Sequence, residues 1–131
     1  MIFVDTGAWY AESVPGDPNH AKAQEFLRGN QELLVTTDYV INEVLTLLRA
    51  RGERQRATRV GENLLEEELA RLEWVTPGDV RGGWTIFQTY RDKDWSFTDC
   101  VSFAVMERLG IQTAFAFDHH FRQFGMVKVL P

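Results

Sequence analysis

Hydrophobic positions along this chain alternate between short unbroken runs and stripes at helical spacing. "MIFVD" at the start reads as a short buried strand, and "HAKAQEFLRG" from His20 reads as a helix ended by Gly29. "LLVTT" gives a second strand. From Asp38, "DYVINEVLTLLRARG" sets Val40, Ile41, Val44, Leu45 and Leu48 at the i, i+1, i+4, i+5, i+8 positions of an amphipathic helix that stops at Gly52. A charged helix from Glu53 to Arg71 follows. "LEWVTPGD" supplies a strand and a turn, and Asp79 reads as the N-cap of a helix reaching Tyr90, with Gly82 and Gly83 weakening its first turn. The segment "DWSFTDCVSF" opens a helix that runs to Leu109 and is stopped by Gly110. "TAFAFD" and "MVKVL" finish the chain as strands, with "HHFRQFG" between them. Strands alternating with helices predict an α/β domain whose mainly parallel sheet is covered on both faces.

Composition narrows the class. With 131 residues and no repeat, low-complexity tract or Pro/Gly linker, one domain over 1–131 is expected. An apolar fraction of 44% with 25% charged residues is that of a globular protein rather than a disordered or fibrous one. One cysteine, Cys100, excludes an internal disulfide and fits a reducing cytoplasm, where it reads as a small buried apolar residue. The start has neither a basic leader nor a long apolar segment, so neither secretion nor membrane insertion is expected. The net charge of −5 argues against long-range attraction to nucleic acid, unless acids gather around divalent cations and share their charge.

The acids suggest such a gathering. In an open α/β sheet, ligands bind at the carboxyl ends of the strands. Asp5 ends the first predicted strand and Asp118 ends "TAFAF", while Glu43 lies in the first turns of the helix after the second strand. Asp99 begins the helix leading into "TAFAF", where Ser96 and Asp99 also fit a capping box. Four carboxylates at one sheet edge repel and raise one another's pKa unless a cation intervenes. Oxygen ligands without a Cys cluster point to Mg²⁺ or Mn²⁺, one or two ions, which can acidify a bound water for in-line attack on a phosphodiester. Thr6, Ser96 and Thr98 add hydroxyls that can orient a carboxylate or a water, or simply cap helices. Asp94 is assigned a supporting role on its proximity in sequence alone.

"FVDTGAWYA", "INEV" around Glu43, "DWSFTDCVSFAVM" and "AFAFDHHFRQFG" together resemble the PIN domain family, and within it the VapC-type toxins of toxin-antitoxin modules. Their order and spacing agree across nearly the whole chain. The resemblance implies a PIN-like three-layer α/β/α sandwich and a metal-dependent endoribonuclease. It places Asp5, Glu43, Asp99 and Asp118 at the family's four acidic positions, with Asp5 and Asp99 foremost as metal ligands. It also implies a homodimer and a cognate antitoxin whose segment packs into a groove beside the acids.

Other residues carry both plain and functional readings. "RARGERQRATR" sets Arg49, Arg51, Arg54, Arg56 and Arg59 against the single acid Glu53, as a solvated helix end or as a contact for RNA or antitoxin. Trp9, Tyr10, Trp84, Trp95 and Phe97 could stack RNA bases, core packing is the default for most of them, and Trp9 and Tyr10 are the best candidates to line a groove by the site. His119 and His120 lack a further ordered His or Cys set for zinc, so they read as loop residues, one inward and one outward, with His119 a candidate RNA contact. Two competing functions remain. One is an aspartyl phosphotransfer or phosphatase domain, which the missing second acid after Asp5 and the placement of Lys128 inside the last strand disfavour. The other is a non-catalytic partner-binding domain with a structural cation.

Overall fold

The computed structural model describes residues 1–125 and 127–131. The elements in chain order are β1 (Ile2–Val4), α1 (Thr6–Ser13), α2 (His20–Gly29), β2 (Leu34–Thr37), α3 (Asp38–Ala50) and α4 (Arg54–Leu65), then β3 (Arg71–Glu73), α5 (Pro77–Thr89), α6 (Phe97–Leu109), β4 (Thr113–Phe115), α7 (His120–Gln123) and β5 (Lys128–Leu130). The strands form one sheet of order β3-β2-β1-β4-β5, and every neighbouring pair is parallel. The start of the expected last strand falls on Met126, outside the described residues.

Register and side-chain contacts assign the layers. Phe3 pairs with Val35 and Ala114, so these three share a face; there Phe3 meets Phe121 of α7, which in turn packs edge-on against Phe103 of α6. Residues one step along point the other way. On that opposite face Phe115 packs at 4.2 Å against Phe26 of α2, and Thr36 accepts the Trp9 indole N–H of α1 at 3.2 Å. Helices therefore cover both faces of a parallel sheet, the three-layer arrangement predicted, and β1 is buried throughout.

Local chemistry explains the helix starts. The Thr37 hydroxyl accepts the Val40 N–H at the start of α3, whose buried stripe is Val40, Ile41, Val44 and Leu48. At α5 the cap is Thr76 rather than Asp79; Asp79 is the third helical residue and completes a capping box with it, behind Pro77. Asp79 also takes the Arg108 guanidinium in a two-pronged contact of 2.8 and 2.9 Å, while Arg108 reaches Glu73 at 3.0 Å. Burial alone would raise the Asp79 carboxyl, but this fork and the Thr76 amide outweigh it and hold the group below its ordinary range. The expected charged helix to Arg71 ends sooner, at Leu65, and Arg71 itself belongs to β3.

The largest departure is α1. "TGAWYAES" places Gly7 second and apolar residues all round, without helical period, so it reads as a loop. Thr6, Ala8, Trp9, Tyr10 and Ala11 are all buried, and tertiary packing rather than amphipathicity selects the helix. The paired glycines of α5 have a packing reason as well. A Cβ on Gly83 would stand 2.7 Å from the Val101 Cγ2 and 2.9 Å from its Cα, so α5 lies against the α6 backbone there.

Gly83→Ala is therefore expected to cost about 1–3 kcal/mol through overpacking, despite the better helix propensity of alanine. Urea denaturation checks this, and a variant as stable as the parent would contradict the close approach.

Candidate active site

Strand order reverses at β1 and β4: the chain builds outward from β1 to β3, then returns to the other side of β1. Crevices form at the carboxyl ends of strands at such a switch point. Asp5 directly follows β1, and its backbone N–H donates to the Phe115 carbonyl at the end of β4 at 3.1 Å. It occupies the N-cap position of α1, yet its side chain makes no capping bond, which leaves the carboxylate at the positive end of a helix and directed to the site. Only 4% of Asp5 is exposed.

Electrostatics bring the other acids to it. The Asp5 carboxyl is pushed up to about 8, first by burial and then by the Asp99 charge; the Thr6 amide opposes this, and Glu43 and Asp118 add smaller upward contributions. Asp99 is raised too, chiefly by burial, with Asp118 adding to it and the Ser96 amide and His120 opposing. Asp99, Glu43 and Asp118 thus all lie near enough for their charge to act on Asp5. Among the described residues, Asp118, His119 and His120 are the one set of three potential ligands whose atoms lie within 4.8 Å of one another. The four acids consequently enclose a wider space than one ion's inner shell, as suits a cation that keeps several waters.

Asp99 serves two purposes at once. Its Oδ2 accepts the Ser96 N–H at 3.1 Å, and its own N–H donates to the Ser96 hydroxyl at 3.0 Å, the capping box of α6. The same Oδ2 lies 2.9 Å from the His120 Nδ1. Asp118 caps the turn after β4, its Oδ1 accepting the His120 N–H at 2.9 Å. The expected inward and outward histidines are His120 and His119, their side chains 16% and 73% exposed. His120 was assigned no role from sequence, though its position two residues after an acid is that of an Asx turn.

Several candidates fall elsewhere. Trp9 is a core residue, 1% exposed and bonded to Thr36, because the unforeseen helix α1 turns it onto the sheet; it lines no groove. Tyr10 is also buried, and the Arg51 guanidinium lies over its ring, 4.8 Å from the centroid. Arg49 and Arg54 remain exposed, on either side of the turn at Gly52, while Arg56 pairs with Glu53. The side chains of Thr98 and Asp94 make no hydrogen bond among the described residues, and Asp94 is exposed in the loop before α6. Trp95 is buried, donating to Gln123 at 2.9 Å. Cys100 is buried as expected, with its thiol pushed up to about 11 by burial and by Asp99.

The hydroxyls divide similarly. Ser96 is a cap, but the Thr6 Oγ1 is buried with no partner among the described residues, as is the Oγ of Ser102, one helical turn beyond Asp99. An unpaired buried hydroxyl costs about 1–3 kcal/mol, so these positions favour an ordered water or an ion's hydration shell. Crowded hard oxygens, a carboxyl elevated for want of a counter-charge and an orphaned hydroxyl beside it all fit a divalent cation.

A family model described as "PIN domain" matches residues 2–126. The chain belongs to the PIN domain family. Over 131 residues it is 35% identical to the 23S rRNA-specific endonuclease VapC20 of Mycobacterium tuberculosis, covering 100% of this chain and 99% of that protein. The crystal structure of Mycobacterium tuberculosis VapC20, described as a Sarcin-Ricin loop cleaving toxin, superposes with a TM-score of 0.93 at 34% identity and covers 100% of both chains. The fold of this PIN domain is therefore shared along its whole length with a structurally characterised toxin. No helix among the described residues is long and apolar enough to cross a membrane.

Without a cation, stability of this PIN domain should fall as pH rises. The folded chain keeps an Asp5 proton that the unfolded chain releases near its ordinary value of 3.8, so stability drains between that pH and about 8, by at most about 6 kcal/mol. In EDTA, the melting temperature is expected to decline from pH 5 to pH 8, and Asp5→Asn to flatten that slope while raising the melting temperature at pH 8. Equal slopes in the two proteins would show that Asp5 is not the strained group.

Proposed function

We propose that this protein is an Mg²⁺- or Mn²⁺-dependent endoribonuclease, the toxin of a VapBC-type module, that hydrolyses RNA phosphodiesters at the rim formed by Asp5, Glu43, Asp99 and Asp118. The observation that carries the reading is the burial of Asp5 near three other acids, with no basic side chain paired to it among the described residues. A bound divalent cation supplies acidification of water and a counter-charge for the scissile phosphate. The chain's own groups do the rest. Asp5 is fixed by its backbone bond to β4, Asp99 by its cap, and Glu43 by the rigid first turns of α3. Thr6 offers its free hydroxyl to the hydration shell. Attack of water on phosphorus forms the new P–O bond as the P–O bond to the leaving strand breaks, and Glu43, half-buried and outside any capping role, would orient that water.

A loop of 23S rRNA is the substrate we favour, because full-length similarity to an enzyme of that description extends over every acidic position argued above. A cognate antitoxin and a second copy of this chain complete the assembly, in the cytoplasm where ribosomes are met. Arg49 and Arg54, exposed at the surface, suit contact with phosphates or with an acidic antitoxin segment. For the second copy, α5 offers Trp84 and Phe87, stacked at 5.8 Å and still 51% and 43% exposed.

Asp5→Asn or Asp99→Asn is expected to reduce cleavage of a sarcin-ricin stem-loop oligonucleotide to background while circular dichroism stays native; full activity in either would remove the assignment, and EDTA should silence the parent. Sedimentation tests the dimer face. Trp84→Ala with Phe87→Ala should convert a dimer to a monomer, and an unchanged dimer would place the interface elsewhere.

A further inference from the structure

We propose that His120 is a positioning residue for the cation site, its Nδ1–H holding Asp99 so that Oδ1 is the oxygen presented to the ion and tying Asp118 to the same rim. This rests on the nuclease reading above. The Nδ1 lies 2.9 Å from the Asp99 Oδ2 and 3.3 Å from the Asp118 Oδ2. Ionised carboxylates only accept hydrogen bonds, so with both acids charged the proton between them belongs to Nδ1.

The consequence for Asp99 is an unequal division of its two oxygens. Oδ2 receives the Ser96 amide at 3.1 Å and the imidazole at 2.9 Å, whereas Oδ1 meets no donor among the described residues. Rotation of the carboxylate would break both bonds, so the free oxygen has a set direction. Asp118 is gripped from one residue at both ends, by the His120 backbone N–H at Oδ1 and by the ring at Oδ2. His120 thereby links the start of α6 to the loop after β4.

The ring itself is well anchored. Its side chain is 16% exposed, and the next residue, Phe121, is fully buried against Phe3 and Phe103, which fixes the backbone that carries it. His119, 73% exposed and 3.5 Å from the Asp118 Oδ1, lacks any contact with Asp99 among the described residues. Ligation by the His120 Nδ1 is the competing role. A hard cation prefers oxygen, and the geometry gives Nδ1 two carboxylates to serve as donor.

Mn²⁺ binding to the full chain, followed by the electron paramagnetic resonance of free Mn²⁺ without RNA, tests the inference. Loss of an outer partner typically weakens metal affinity about 10–100-fold, and His120→Ala is expected to fall in that range. His120→Asn, whose amide places an N–H near the Nδ1 position, should recover most of the affinity, and His119→Ala should bind as the parent does. If His120→Ala does not fold, His120→Leu keeps the bulk without the donor and replaces it. Parental affinity in the donor-less variant, or no recovery in a natively folded His120→Asn, would overturn the positioning role. Failure of the parent to bind Mn²⁺ would instead count against the nuclease reading.

Discussion

Repulsion between carboxylates held out of water is the constraint around which this fold is arranged. An acid that is 4% exposed, facing others across a strand edge, is a local debt that no surface salt bridge can cancel. The chain supports it with a parallel sheet whose order reverses beside β1, so that Asp5 stands in a crevice the topology creates. The positive end of α1 and the Thr6 amide soften the charge without neutralising it. What remains is a cluster of acids with its charge unbalanced, in a chain 35% identical over its whole length to a 23S rRNA-specific endonuclease.

Elsewhere the molecule handles charge in the opposite way. Asp79 is as little exposed as Asp5, at 3%, but Arg108 meets both of its oxygens, and its carboxyl falls below the ordinary range instead of rising. The contrast separates an acid with a counter-charge from one without. Both carboxylates sit near helix starts, but Asp5 lies deeper and faces other acids, whereas Asp79 faces an arginine. Burial by itself therefore says little about role, and the presence or absence of an opposite charge says a good deal.

Much of this was legible in the residues. The strands at "MIFVD" and "LLVTT", the α3 stripe, the stop at Gly110 and the capping box of Ser96 and Asp99 all follow from local chemistry, and the four acids follow from strand ends. What escaped was decided by tertiary packing. Helix α1 has no amphipathic period because it is buried nearly all round, and missing it left Trp9 a candidate to line a groove when it packs in the core. The Thr76 cap was misread as Asp79, since both residues of a capping box are plausible caps. His120 could not be told from His119 without the turn that Asp118 makes, and Gly83 reads as a helix breaker until α6 is laid against it.

The double employment of Asp99 has a consequence for how the molecule would lose function. One carboxylate secures the opening turn of α6 and stands near the other acids, so any unwinding of that turn would scatter them even while the sheet stayed intact. A single helical end thereby ties the integrity of the acid cluster to the packing of the helix behind it.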